Sequence, residues 1–513
     1  MANDPHDSRV PRLGLGGLAA AAALLASAPV RAEDGPQVKF HPIHIGAFTE
    51  YGKIVEGSRV EAYGSFGVIT NQSLTTSCAW LVQSATVNDR LDIDAGISGL
   101  FWYSFPVSDG LPHTRLIKFA TGVPVADAVY SFGDLESPWL KLQMGLFGYK
   151  YNPDATNLGE YLYRSGTYPG YLWTGGWVLT NAARYNANGI RAGFEFLDHR
   201  LKLDVNFLIE RDIEPNFDIS PSVVGSYNVG GFFEVGAGAV FAHYIPANAD
   251  KVTPKDRANA YYHDPVRNRD LPLPQFEHNK PGLEIGDTLI VDAADPKAGQ
   301  PLSQTDPRFV EGKVTQYYTA ADNGIPNSQL DYYTFKGIKL MGRASLDVLK
   351  PLNVEMLEPG AGKIYAEVAV LGLQNQPFYY EKIGERMPMM FGFNIPTFKI
   401  LDQLSVEVER YKSPFANSIK TEFNNTLPIW DLPLNAKGET DPGMFLDSNM
   451  AVKGRDWYWS VYARKTFVPG LSLYGQIAHD HTRVMNYFAN PSYQPFIQEK
   501  KDWYWALRLE SAI

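Results

Sequence analysis

The chain ends in an alternation that only a two-faced sheet satisfies. Trp503, Trp505, Leu507 and Leu509 interleave with Asp502, Tyr504, Arg508 and Glu510 up to Ile513. Successive strand residues point to opposite sides, so a period of two with one apolar and one charged set describes a sheet between two different environments. The pattern returns at Trp457, Trp459, Val461 and Ala463 against Asp456, Ser460, Tyr462 and Arg464, and both segments open with Asp-Trp-Tyr-Trp. A soluble sandwich makes the apolar face its core and the polar face its surface. Three further features point instead to a sheet that crosses a membrane.

The first is an asymmetry of connections. Short turns precede strands that begin Leu, polar, aliphatic: Asn88-Asp89-Arg90, Asp198-His199-Arg200, Asp402-Gln403 and Val468-Pro469-Gly470. Between them lie long polar connections near 150–188, 245–330 and 413–453. Short turns at one end and long loops at the other are the asymmetry of a membrane β-barrel. The second is aromatic placement. Trp102 with Tyr103, Trp457 with Trp459, and Trp503 with Trp505 all fall at the long-loop end. There an amphipathic ring sits at the headgroup level, so these six residues are the expected aromatic girdle. The third is that no stretch after residue 32 is a continuous apolar run long enough to cross as a helix, while its strands are long enough to cross at a tilt. Lipid leaves no backbone group unsatisfied, so a crossing sheet must close on itself.

Residues 1–32 read as a secretory signal peptide. Arg9 and Arg12 precede an apolar stretch from Leu13 to Ala26, and small residues lead to a cleavage site after Ala32. Removing Arg9, Arg12, Arg31, Asp4 and Asp7 leaves 43 basic and 54 acidic residues, a net charge of -11. With Cys78 as its single cysteine the chain forms no internal disulfide. The acidic balance and the absence of clustered Lys and Arg argue against nucleic acid as a partner.

The expected fold is therefore all-β: a transmembrane antiparallel up-and-down barrel over residues 33–513, with short periplasmic turns and long extracellular loops. Sixteen strands are counted: 43–55, 76–88, 91–104, 125–133, 138–149, 189–198, 200–211, 220–229, 231–244, 331–348, 363–374, 387–400, 404–412, 454–467, 470–484 and 501–513. The weakest are 125–133 and 220–229, and the stretch Trp173 to Leu179 raises the count to eighteen if it adds a pair. Both counts are even, as termini on one side require.

The alternation, the turn asymmetry, the leader and the terminal strand resemble bacterial outer-membrane porins. The run GLFGYKYNPDATNLGEYLYRSGTYPGY, Gly145 to Tyr171, is similar to a strand-and-loop passage of little-characterised porin-like barrels. One departure is the last residue, Ile513, where such barrels usually carry Phe or Trp.

With the Trp and Leu positions facing lipid, the opposite phase lines the lumen. Its expected members are Asp92, Asp94, Lys141, Arg191, Glu195, Lys202, Asp204, Lys339, Arg343, Glu367, Glu407, Glu409, Arg464 and Arg508. Glu210, Glu234 and Glu510 share that phase. A lipid-facing Arg or Lys at the midplane costs about 2–4 kcal/mol, so these charges belong to one face. On that reading Leu507→Arg impairs the barrel and Arg508→Leu leaves it assembled.

Catalytic patterns are thin. His479-Asp480-His481 puts two histidines in one strand phase without an identifiable third ligand, and reads as a polar strand end; no metal or other cofactor is expected. There is no Gly-x-Ser-x-Gly, His-Glu-x-x-His or phosphate-binding loop. Asp287, Asp292, Asp295 and Asp322 lack the spacing of a calcium loop. The expected function is passive diffusion of small hydrophilic solutes, not catalysis, with membrane lipid as the other partner and oligomeric state left open. The alternative is a surface adhesin or receptor whose barrel displays the loops near 245–330 and 413–453. Tyr149 to Asn188, with Asp154, Glu160 and Arg164, reads as an inward-folded constriction, its aromatics against the wall and its charges toward water, the alternative being an outward cap over the barrel mouth. The net charge of -11 predicts a weak preference for cations.

Overall fold

The structure, a computed structural model, describes residues 36–56, 58–62, 65–67, 73–104, 116–165, 172, 185–210, 217–247, 336–352, 355–374, 382–412, 456–480, 495–496 and 503–513, with the backbone of a few short strands between 252 and 334. Sixteen strands form one antiparallel sheet. They are β1 His44–Glu56, β2 Ser73–Val87, β3 Leu91–Ser104, β4 Ala126–Gly133, β5 Pro138–Tyr149 and β6 Tyr185–Phe196. Next come β7 Leu201–Ile209, β8 Ile219–Val229, β9 Phe233–Ala242, β10 Gly337–Asp347 and β11 Lys363–Val370. The last are β12 Met389–Asn394, β13 Gln403–Arg410, β14 Trp457–Val468, β15 Leu471–His479 and β16 Trp503–Ala512. Each pairs with its successor, and β16 returns to β1 through Arg508 opposite Glu50, which closes the barrel. All sixteen strands expected from the sequence are present; the stretch Trp173 to Leu179 lies outside the described residues.

Two further strands belong to the same sheet. Val38–Phe40 pairs with the end of β2, and Leu116–Gly122 pairs with β3 directly above β4. The break between that strand and β4 falls at Val123-Pro124-Val125. Proline has no N–H to give to a ladder. The Gly96 N–H still donates to the Val125 carbonyl at 2.9 Å, so the two pieces run as one interrupted strand.

Turn chemistry sorts the ends. Asn88 and Asp89 take φ of 51° and 56°, a left-handed pair that Asn and Asp tolerate and that matches the twist of a tight hairpin. Residues 88–90, 197–200, 230–232 and 469–470 make short turns on one side, where Ile513 also bonds to Ile45. The connections 150–184, 243–336 and 411–456 all leave from the other side.

The register places one residue set on one side all the way round. Glu50 faces Arg508, Arg508 faces Tyr474, Tyr474 faces Arg464, and Arg464 faces Gln403. The opposite phase is apolar and exposed: Ile97, Phe207, Phe391, Ile477, Leu507 and Leu509. Among the described residues, no helix is long and apolar enough to cross a membrane.

Candidate functional site

The chain leaves β5 at Tyr149 and turns into the barrel. Tyr151 donates its phenol to Glu367 on β11 at 2.7 Å, and Asn152 adds an Nδ2 bond to the same carboxylate at 2.6 Å. The backbone N–H groups of Thr156, Asn157 and Leu158 donate to Glu407 on β13 at 2.6, 2.9 and 2.8 Å. Asn157 also reaches Asp480, just past β15, at 2.7 Å, and Tyr163 meets Ser222 on β8 at 2.7 Å. A segment touching β8, β11, β13 and the end of β15, always on the charged phase, lies inside the barrel. That contact fixes the charged phase as the inner one.

The local sequence makes this segment compact. Gly159 and Glu160 take φ of 85° and 56°, reversing the chain ahead of a single 3-10 turn, Tyr161–Tyr163. A Cβ on Gly159 would stand 2.7 Å from the Met390 methyl and 3.3 Å from a Glu367 oxygen, so neither backbone nor space admits a side chain. Glu160 accepts from the Asn152 N–H at 3.3 Å and from Arg164 at 2.9 Å. Burial pushes its carboxyl above the usual range, against the pull of Arg164 and Lys150.

Burial also pushes the phenols of Tyr151 and Tyr161 well up, so both stay protonated and donate, Tyr161 to Glu409 at 2.8 Å. Tyr161 gives its N–H to Glu367 at 3.0 Å as well. Tyr365 crosses the face of Gly392, where a Cβ would meet its ring at 2.1 Å, and reaches Glu407 at 3.0 Å. Leu158, Leu162 and Leu172 complete an apolar cluster with Leu208, Val240, Met341 and Met390 of the wall.

The expected lumen residues all fall in the inner phase, but they divide by role. Glu367, Glu407 and Glu409 are buried anchors of the inward segment, and Lys339 donates to its Leu162 carbonyl at 3.5 Å. Arg191 pairs with Asp204 at 2.9 Å and Arg343 with Glu234. Thr86 donates to Asp92 at 2.7 Å, Ser84 donates to Asp94, and Glu195 pairs with His199 near the short turn. Lys202 faces Glu195 across the ladder, and Lys141 faces Gly193. Arg464 is in register with Gln403 and Tyr474. Arg508 bonds Glu50 at 2.8 and 3.0 Å and lies 3.9 Å over the Phe48 ring.

In the inward segment, Asp154 pairs with Lys363 at 2.5 Å. Glu160 and Arg164 pair with each other and are largely buried, where the sequence reading turned the charges toward water. Trp457, Trp459, Trp503 and Trp505 occupy the outer phase with Val461 and Leu507. Trp102 is in register with Thr76, in phase with Asp92 and Asp94, so the pleat separates it from Phe101 and Tyr103. His479 stacks on Tyr458 at 5.4 Å. Tyr151 lies against the wall as the sequence suggested for the aromatics of its segment; Glu50, Asp480, Asn152 and Asn157 were not singled out as site residues. The alternation Phe48, Glu50 marks Glu50 as inner phase, while the others show no periodicity.

The fold is a closed antiparallel β-barrel of sixteen strands with a segment folded into its interior, a porin-like architecture. No family model and no curated protein matches the sequence. Among solved structures, OprB of Pseudomonas putida is similar at 8% identity, TM-score 0.43, over 93% of this chain and 94% of that one. A variant of the Rhodopseudomonas blastica porin is similar at 8% identity, TM-score 0.38, over 93% and 100%. A structure described by the asymmetric conductivity of engineered proteins gives 7% identity and TM-score 0.38, over 93% and 100%.

Proposed function

We propose that this chain is an outer-membrane porin for passive diffusion of small hydrophilic solutes, and not an enzyme. One observation carries the reading: segment 150–165 is clasped to the inner wall of a barrel that is charged inside and apolar outside. Charged groups on an inner phase are solvated by a wet lumen, and sixteen strands leave room for one. The inward segment narrows that lumen, with Asp154, Glu160 and Arg164 holding its shape. Residues 1–32 direct export and are removed, the short turns face the periplasm, and the long loops face outward.

Single-channel recording in planar bilayers tests this. The mature protein is expected to give stable open steps, and deletion of residues 156–168 to raise conductance and weaken discrimination between large and small solutes. A silent parent barrel overturns the porin reading. A deletion variant that inserts, conducts and sieves like the parent removes the segment from the constriction.

A further inference from the structure

A cavity of about 720 Å³ lies between the underside of the inward segment and the short turns at 197–200 and 230–231, against the inner wall of β6 to β10. Its charged lining is unbalanced. Lys150, Arg191, Arg200, Lys202 and Arg343 stand against Asp198, Asp204 and Glu234, a surplus of two positive charges. The chain as a whole carries -10, so the local field is opposite in sign to the global one.

Two of the three acidic members are engaged with basic ones. Asp204 accepts from Arg191 and from the Tyr149 hydroxyl, each at 2.9 Å, and Glu234 is paired with Arg343. Lys202 points into the barrel and is exposed. Three buried carboxylates of the inner wall do not line the cavity: Glu367, Glu407 and Glu409 accept N–H and phenol donors from the inward segment. The charges that line the cavity are nearest to an ion inside it, and low-dielectric walls focus their field.

We propose that this cavity is an anion vestibule, so that the pore passes small anionic solutes, those bearing carboxylate or phosphate groups, in preference to cations. The inference rests on the porin reading and sets its substrate class.

The test is the zero-current potential of the mature protein in a planar bilayer under a tenfold potassium chloride gradient. The expected sign is that of chloride preference, with Lys202→Glu, and separately Arg200→Glu, moving the potential toward the potassium side. A parent pore that prefers potassium overturns the vestibule while leaving the porin reading intact. So does a chloride preference that neither substitution changes. A barrel that never conducts overturns the porin reading, and the vestibule with it. Because the sign is read first on the unmodified protein, a variant that fails to fold does not shield the proposal.

Discussion

Glu407 shows how much one carboxylate organises. Its oxygens accept three successive backbone N–H groups and the Tyr365 hydroxyl, and the side chain is fully buried. Glu407→Gln replaces one acceptor with an N–H that opposes those donors, and each buried donor left unsatisfied costs about 1–3 kcal/mol. The barrel wall is expected to survive while segment 150–165 loosens, seen as faster proteolysis within 150–165 and noisier current. Unchanged cleavage would remove Glu407 from its anchoring role. On β16 the ion pair of Arg508 with Glu50 revises an expectation. The inner phase of Arg508 suggested that Arg508→Leu is benign, but its loss strands Glu50, buried to 1%, without its 2.8 Å partner. Breaking such a pair costs about 3–5 kcal/mol, comparable to the roughly 2–4 kcal/mol of Leu507→Arg on the lipid side. Both single variants should unfold at lower denaturant in liposomes, and Glu50→Leu should rescue Arg508→Leu but not Leu507→Arg.

At the scale of elements, the turns separate what propensity decides from what contacts decide. Asn88-Asp89 is legible as a tight hairpin because these residues accept positive φ, and Pro124 marks the interruption above β4. The turn from β12 to β13 is held from outside itself. Asp402 is bonded by Thr466, whose backbone N–H lies at 2.7 Å, and the hydrogen bonds of Thr466, side chain first, hold its carboxyl below the usual range against some burial. A lowered carboxylate contributes stability above its unfolded value and loses it as pH falls through the lower folded value. Asp402→Asn should therefore lower the melting temperature near neutral pH, with the gap to the parent closing in acid. A gap that persists or widens in acid would contradict the linkage. Segment 150–165 was legible as aromatic, with an inward fold as one of two readings, but not in its contacts, since its partners on β11 stand some 200 residues away in sequence.

For the whole molecule, closure fixes direction. Both terminal strands end at the short-turn side, with Ile45 and Ile513 exchanging backbone bonds. Tags inserted near Gly299 or Lys437 are expected to be reachable by antibody on intact cells, and tags near His199 or Asp402 only after permeabilisation. Equal labelling of all four would sink the assigned topology. The expected cation preference was likewise a whole-molecule argument from net charge. The proposed vestibule predicts the opposite sign, because a solute meets the charges that line its path and is screened from the rest.

The sequence by itself determined the sheet, a count of sixteen strands with eighteen left open, and the side of the wall on which the named charges stand, though not that of Trp102. Those properties follow from a period of two and from turn residues within a few positions of one another. Only the tertiary structure decided which inner charges face a cavity and which are spent on anchoring. Glu367 and Arg191 have the same phase and the same signature in sequence. One is closed over by Tyr151, Asn152 and Tyr161, while the other lines the vestibule beside Asp204. That difference depends on where an aperiodic segment lands across a closed barrel, a contact made through space between strands that no local pattern connects.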